Sequence, residues 1–165
     1  MTTLTSKNYF KALSIFYLAL VIGPLLFGLI VLFLNLAMKL TMVDAGLSNI
    51  FRYVVPALAL AGIVASHFVF KNKLIQIREN DSLGIKMENY RAALIPRYAM
   101  LTGPAFFATI AAFITGDVSF LAVTGIMLLI LLYIRPGVAA AIKDLELEQT
   151  ETAILEDPEG IIEGN

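Results

Sequence analysis

LVIGPLLFGLI at residues 20–30 and MLTGPAFFATI at residues 100–110 stand eighty positions apart, and their reading decides the fold. Each sets a Gly-Pro pair inside an apolar run. Proline lacks the N–H that a helix interior needs, so in water it would end or bend the element. In lipid the backbone must satisfy its hydrogen bonds internally, and helices tolerate proline there. Both segments are therefore expected to be membrane helices, kinked at Pro24 and Pro104 with the preceding glycine making room.

The rest of the chain agrees. Of 165 residues, 59% are hydrophobic and 15% charged, whereas soluble domains average about 45–50% and about 25%. Four apolar stretches occupy about 12–34, 53–70, 92–114 and 118–134. Each approaches the ~20 residues that cross ~30 Å of hydrocarbon. The first is too long for a signal-peptide core and lacks a small-x-small cleavage pattern, so it reads as an uncleaved span. For the fourth, RPGVAAAI at 135–142 is expected to carry the helix past the membrane edge. Residues 1–143 then form one transmembrane domain, and 144–165 a tail.

Charge sets the orientation. Nine of the twelve Lys and Arg fall before span one, between spans two and three, or after span four, and Arg97 sits just inside the start of span three on the same side; Lys39 and Arg52 fall on the other side. Positive residues mark the cytoplasmic side, so both termini are expected there. The tail holds eight of the thirteen Asp and Glu. Its closing EDPEGIIEGN reads as a partly disordered end.

Sliding the chain by eighty aligns Ala12/Ala92, Ile15/Ile95, Ala19/Ala99, Gly23/Gly103, Pro24/Pro104, Phe27/Phe107, Ile30/Ile110 and Phe33/Phe113. At ~100° per residue, all but the proline pair share one helical stripe roughly 120° wide. The expectation is a duplicated helical hairpin: an all-α membrane protein of four transmembrane helices. Its two tandem units would be related as a parallel repeat. Ala19, Gly23, Ala99 and Gly103 are small-xxx-small pairs that let helices approach, with Phe27 and Phe107 filling the next turn.

Chemistry is sparse. No Asp or Glu lies within the four spans, whereas proton-driven machines carry titratable groups at membrane depth. No cysteine is present, and a single histidine gives no metal-ligand set. No nucleophile motif or phosphate loop occurs. His67, Arg97 and Arg135, with Ser66 and Tyr98, fall near the inner headgroup level. They form a candidate site for an anionic headgroup or small ligand. With a net charge of −1 and no dense basic patch, nucleic acid is not an expected partner.

The duplicated Gly-Pro segments and YIRPG at 133–137 resemble small, uncharacterised four-span bacterial inner-membrane proteins. That resemblance implies a bacterial cytoplasmic membrane and no particular activity. In outline the chain is also similar to double-hairpin proteolipid subunits of rotary ATPases. Those carry a mid-helix carboxylate, which this sequence lacks. The sequence points to a non-enzymatic subunit without cofactor or metal. It would self-associate or join a larger membrane complex, or recruit a cytosolic partner through its acidic tail. The alternatives are an oligomeric transporter or channel protomer and a lipid- or quinone-binding subunit.

Overall fold

The computed structural model describes residues 4–38, 45–77 and 81–163. Its elements run β1 (Leu4–Thr5), α1 (Ser6–Met38), α2 (Ala45–Ile75), α3 (Leu83–Thr115), α4 (Ser119–Tyr133), α5 (Val138–Leu145), α6 (Gln149–Glu156) and β2 (Ile161–Glu163). Three helices, α1 to α3, are long and apolar enough to cross a membrane. A fourth crossing is counted if α4 and α5, bent by 79°, form one broken span. Lys39, Arg78 and loop residues 39–44 lie outside the described residues.

The helices run unbroken through Pro24, Pro56, Pro96 and Pro104. α3 is the hub. Half of its most apolar window is buried, against 22% for α1 and α2. It packs along α2 and α4, and α1 leans on both α3 and α4. Two clusters fill the core. The first joins Leu13, Tyr17, Leu94, Tyr98, Leu101, Met127 and Leu131; the second joins Val31, Val55, Ala108, Ala112 and Phe120.

The packing does not show the tandem hairpin. Among the described residues α1 and α2 do not pack along one another, so spans one and two are not a packed unit. The reason lies in which faces match. α2 presents Val55, Ala59, Gly62, Ser66 and Phe70, a largely small-residue buried face at helical spacing. It meets α3, where Ala93, Thr102, Ala105, Ala108, Thr109 and Ala112 are buried. Close approach between small faces is what drives association in lipid.

The helix ends follow local chemistry. α3 stops at Gly116, whose φ of 69° is left-handed; its N–H donates to the Ala112 carbonyl. Glycine adopts that conformation without a Cβ penalty. α4 does not continue through RPGVAAAI as expected. Pro136 offers no N–H and disfavours helical geometry at Arg135, and Gly137 is fully extended, with φ −173°. The chain turns there into α5.

The tail is also corrected, because through Glu163 it is built rather than loose. Glu148 and Glu151 cap α6 reciprocally. β2 pairs antiparallel with β1, matching Thr5 to Ile161. Leu155 and Ile162 are buried in the first cluster. An acidic composition disfavours folding only where apolar anchors are missing, and here Leu155 and Ile162 supply them. Pairing of β1 with β2 places the first and last described residues at one end of the bundle.

Candidate functional site

Two polar levels bracket the bundle. At one, Asn35 Nδ2 donates to the Gly116 carbonyl at 2.7 Å, and Arg52 meets Asp117 at 3.8 Å. At the other, the Tyr17 and Tyr98 rings lie 5.3 Å apart, and the Arg97 guanidinium sits 4.0 Å above the Phe70 ring. Eighteen residues separate Tyr17 from Asn35, Arg52 from Phe70, and Arg97 from Thr115. At 1.5 Å each that is ~27 Å, close to the ~30 Å hydrocarbon thickness. Aromatic and cationic side chains at such levels are interface anchors.

Asp117 belongs to the turn between α3 and α4. Hydrogen bonding from the Ser119 side chain outweighs partial burial, with help from the Ser119 N–H and Arg52. The carboxyl is held below the usual carboxylate range. The turn stays charged and polar at its membrane edge.

The five residues expected to form a ligand site share the other level but do not converge. Tyr98 is buried, and its hydroxyl donates to the Ile134 carbonyl at 3.2 Å. The Ser66 hydroxyl donates within its own helix to Ile63 O at 2.8 Å. His67 faces outward with its ring against Phe68. Arg135 is exposed just past α4. Among the described residues Arg97 makes no ion pair, and its guanidinium rests on Phe70. Tyr17 joins Tyr98 in serving α4, donating to Leu131 O at 2.9 Å. These tyrosines satisfy carbonyls that a broken helix end leaves open.

The expected packing stripe is only partly used. Gly23 lies under the Phe106 ring, where an added Cβ would come within 2.8 Å of Cζ. Phe27 stacks near Phe106 and Phe113, and Phe107 meets Phe51 edge-on. Ala19, Ala99 and Gly103 instead face outward, and nothing lies within 4 Å of a Cβ built on Gly103. The buried faces explain the correction. They lie roughly 120° from the shared stripe on α1 and nearly opposite it on α3, at ~100° per residue.

Gly62 carries the close approach that the sequence reading missed. A methyl group there would sit 2.5 Å from the Met100 carbonyl oxygen and 2.8 Å from Pro104 Cγ. Met100 O is the acceptor that Pro104, lacking an N–H, leaves unused. The α2 backbone at Gly62 lies close against it, with no room for a side chain between them. The signal was present as Ala59, Gly62 and Ser66 at helical spacing in span two. Deeper in, the Thr109 and Thr124 hydroxyls pair at 3.0 Å, and each also reaches the Ala105 carbonyl.

Beyond the Tyr17–Arg97 level, the ends of α2 and α3 join α5 and α6 in a polar cap. Lys86 Nζ bonds both Glu151 oxygens, at 2.8 and 3.0 Å, with side-chain exposures of 8% and 18%. The Tyr90 hydroxyl donates to Asp144 at 3.0 Å. A groove of about 570 Å³ opens beside them. Leu74, Ile75, Ile77 and Leu145 line it together with Asp144, Glu146, Glu148, Glu151, Lys71 and Lys86. No protein-family model, curated protein or solved structure matches the chain, so function is argued from this geometry.

Proposed function

We propose that the chain is a non-enzymatic multi-pass accessory protein of a bacterial inner membrane, with both termini cytoplasmic, that joins a larger complex through its polar cap. The observation that carries this reading is the groove, where apolar side chains, four carboxylates and two lysines line one cavity built from folded elements beyond the Tyr17–Arg97 level. Nine of the ten Lys and Arg among the described residues are at that end, which supports the cytoplasmic side. Interior hydroxyls of Thr102, Thr109 and Thr124 are bonded to backbone or to one another, which favours a packed bundle over a pore. Bends at Pro24 and Pro104 shape α1 and α3 in this reading. The eighty-residue correspondence marks an old duplication whose copies now occupy different places in the bundle.

The test is a photo-crosslinking residue at Ile75, on the groove wall, used in native membranes. A discrete protein adduct is expected, lost in Glu146→Lys/Glu148→Lys. No adduct, or one indifferent to charge reversal, contradicts the proposal.

A second reading has one observation in its favour. Arg97 stands at the inner headgroup level on the Phe70 face without a carboxylate among the described residues. Such a cation fits an anionic lipid headgroup. Phospholipid co-purifying with the protein, and lost in Arg97→Ala/Arg135→Ala, would support it.

A further inference from the structure

The exposed side of α1 carries a pattern that its buried side does not require. Ile15, Leu18, Ile22, Leu25, Leu29, Leu32 and Leu36 recur at alternating steps of three and four, and each is Ile or Leu. All seven are exposed, from 38% at Leu32 to 74% at Leu36. A repeat of 3.5 residues is the heptad spacing of helices that supercoil about a partner. Ile15, Ile22, Leu29 and Leu36 form one core series of such a heptad, and Leu18, Leu25 and Leu32 the other. A different face holds α1 in its own bundle. There Tyr9, Leu13, Tyr17 and Val21 recur at steps of four and are buried. The two rows lie roughly 120° apart around the helix, at ~100° per residue.

The seam fits a second copy of this chain in length, direction and extent. Ile15 and Leu36 are twenty-one residues apart, which is ~32 Å of helix against ~30 Å of hydrocarbon. Lys11, one heptad before Leu18, closes its inner end. Two copies inserted alike present α1 to α1 in parallel, about a twofold axis along the membrane normal, so each seam meets the same seam. Ile15 and Ile22 in one series with Leu18 and Leu25 in the other are the combination that favours two parallel strands. Beside the seam a cleft of about 170 Å³ separates α1 from α4, where Leu25, Leu29 and Leu32 face Leu121, Gly125 and Leu128. Nothing lies within 4 Å of a Cβ built on Gly125, so a neighbouring helix has a hole for its knobs. The seven exposures amount to between three and four whole side chains, and Leu129 and Leu132 beside the cleft add about one more. At roughly 100 Å² per side chain, two copies would bury up to about 1,000 Å², the size at which an interface becomes specific.

We propose that the chain forms a parallel homodimer in the membrane through the α1 seam, with the α1–α4 cleft receiving side chains of the second copy's α1. Close packing of this kind, at the small crossing angle of left-handed coiled coils, is a common way for helices to associate in lipid. The dimer rests on α1 and α4 and not on the reading of the polar cap.

Single cysteines placed in the cysteine-free chain test it in native membranes. Leu18, Ile22, Leu25 and Leu29 on the seam are compared with Phe16 and Ile30, which are exposed to a similar degree, 40% and 55%, but lie off it. Under oxidation by copper phenanthroline, a disulfide-linked product with the mass of two chains is expected at the four seam positions and not at Phe16→Cys or Ile30→Cys. Adding Leu25→Ala/Leu29→Ala/Leu32→Ala to Ile22→Cys should abolish its product, while far-UV circular dichroism shows the helices unchanged. Equal linkage on and off the seam would mean random collision. No linkage at the seam would mean no dimer, and a linked product of another mass would mean a different occupant. Each of these overturns the proposal, as does linkage at Ile22→Cys that survives the triple substitution.

Discussion

At Gly62 a single methyl group is already too large. Its neighbours are backbone and a proline ring, neither of which can rotate aside. Gly62→Ala is expected to destabilise the bundle by about 1–3 kcal/mol, the usual cost of overpacking. Gly103→Ala, which meets open space, should be neutral or up to about 1 kcal/mol stabilising through helix propensity. Unfolding titrations in mixed detergent micelles would compare the two; equal effects would mean that α2 does not approach α3 at Gly62. Thr124→Val removes a buried hydroxyl bonded to Thr109 and Ala105 and should cost about 0.6–2 kcal/mol in the same assay. Asp117 gives a pH test. Its folded pKa is lowered, so its contribution is present above the unfolded carboxyl pKa of about 3.9. That contribution fades as pH falls through the folded value. The acid decline of Tm should therefore be shallower in Asp117→Asn.

At the scale of elements, the apolar stretches located the three long helices α1 to α3 and the shorter α4 because length and lack of charge dominate in lipid. They also brought Tyr17 and Tyr98 to one depth, and the two rings meet at 5.3 Å. What they could not give was which stripe of each helix is buried. A stripe of matching residues need not be the stripe that packs, and Ala99 and Gly103, exposed on α3, show the difference. Small residues were read where they repeat, so the face of Ala59, Gly62 and Ser66 was passed over. The break after α4 was legible in Arg135-Pro136-Gly137, but apolar Val138–Ile142 masked it. That break leaves open carbonyls, and Tyr17→Phe and Tyr98→Phe should each lower stability by about 0.5–1.5 kcal/mol. Hydrogen exchange should quicken at residues 131–135 while α2 stays protected. Protection unchanged at α4 would mean that the hydroxyls carry no weight there.

For the whole molecule, the acidic tail is the part that composition misjudged. Leu155, Ile162 and the Lys86–Glu151 pair are isolated signals in a polar stretch, and their partners lie more than sixty residues away. Folded back, the tail makes the bundle's two ends unlike: a strapped acidic cap at one, the Asn35, Arg52 and Asp117 level at the other. If α4 serves as a last, short crossing after α1 to α3, the two ends meet on one side. The most direct check is labelling by a membrane-impermeant thiol reagent of single cysteines placed in the cysteine-free chain. Cysteines at Lys7, Lys71 and Glu159 should react from one face of sealed membranes only, and those at Arg52 and Ser119 from the opposite face only. Reaction of the Lys7 and Glu159 positions from different faces, or of the Arg52 and Lys71 positions from the same face, would contradict a four-crossing bundle closed at one end by its own termini.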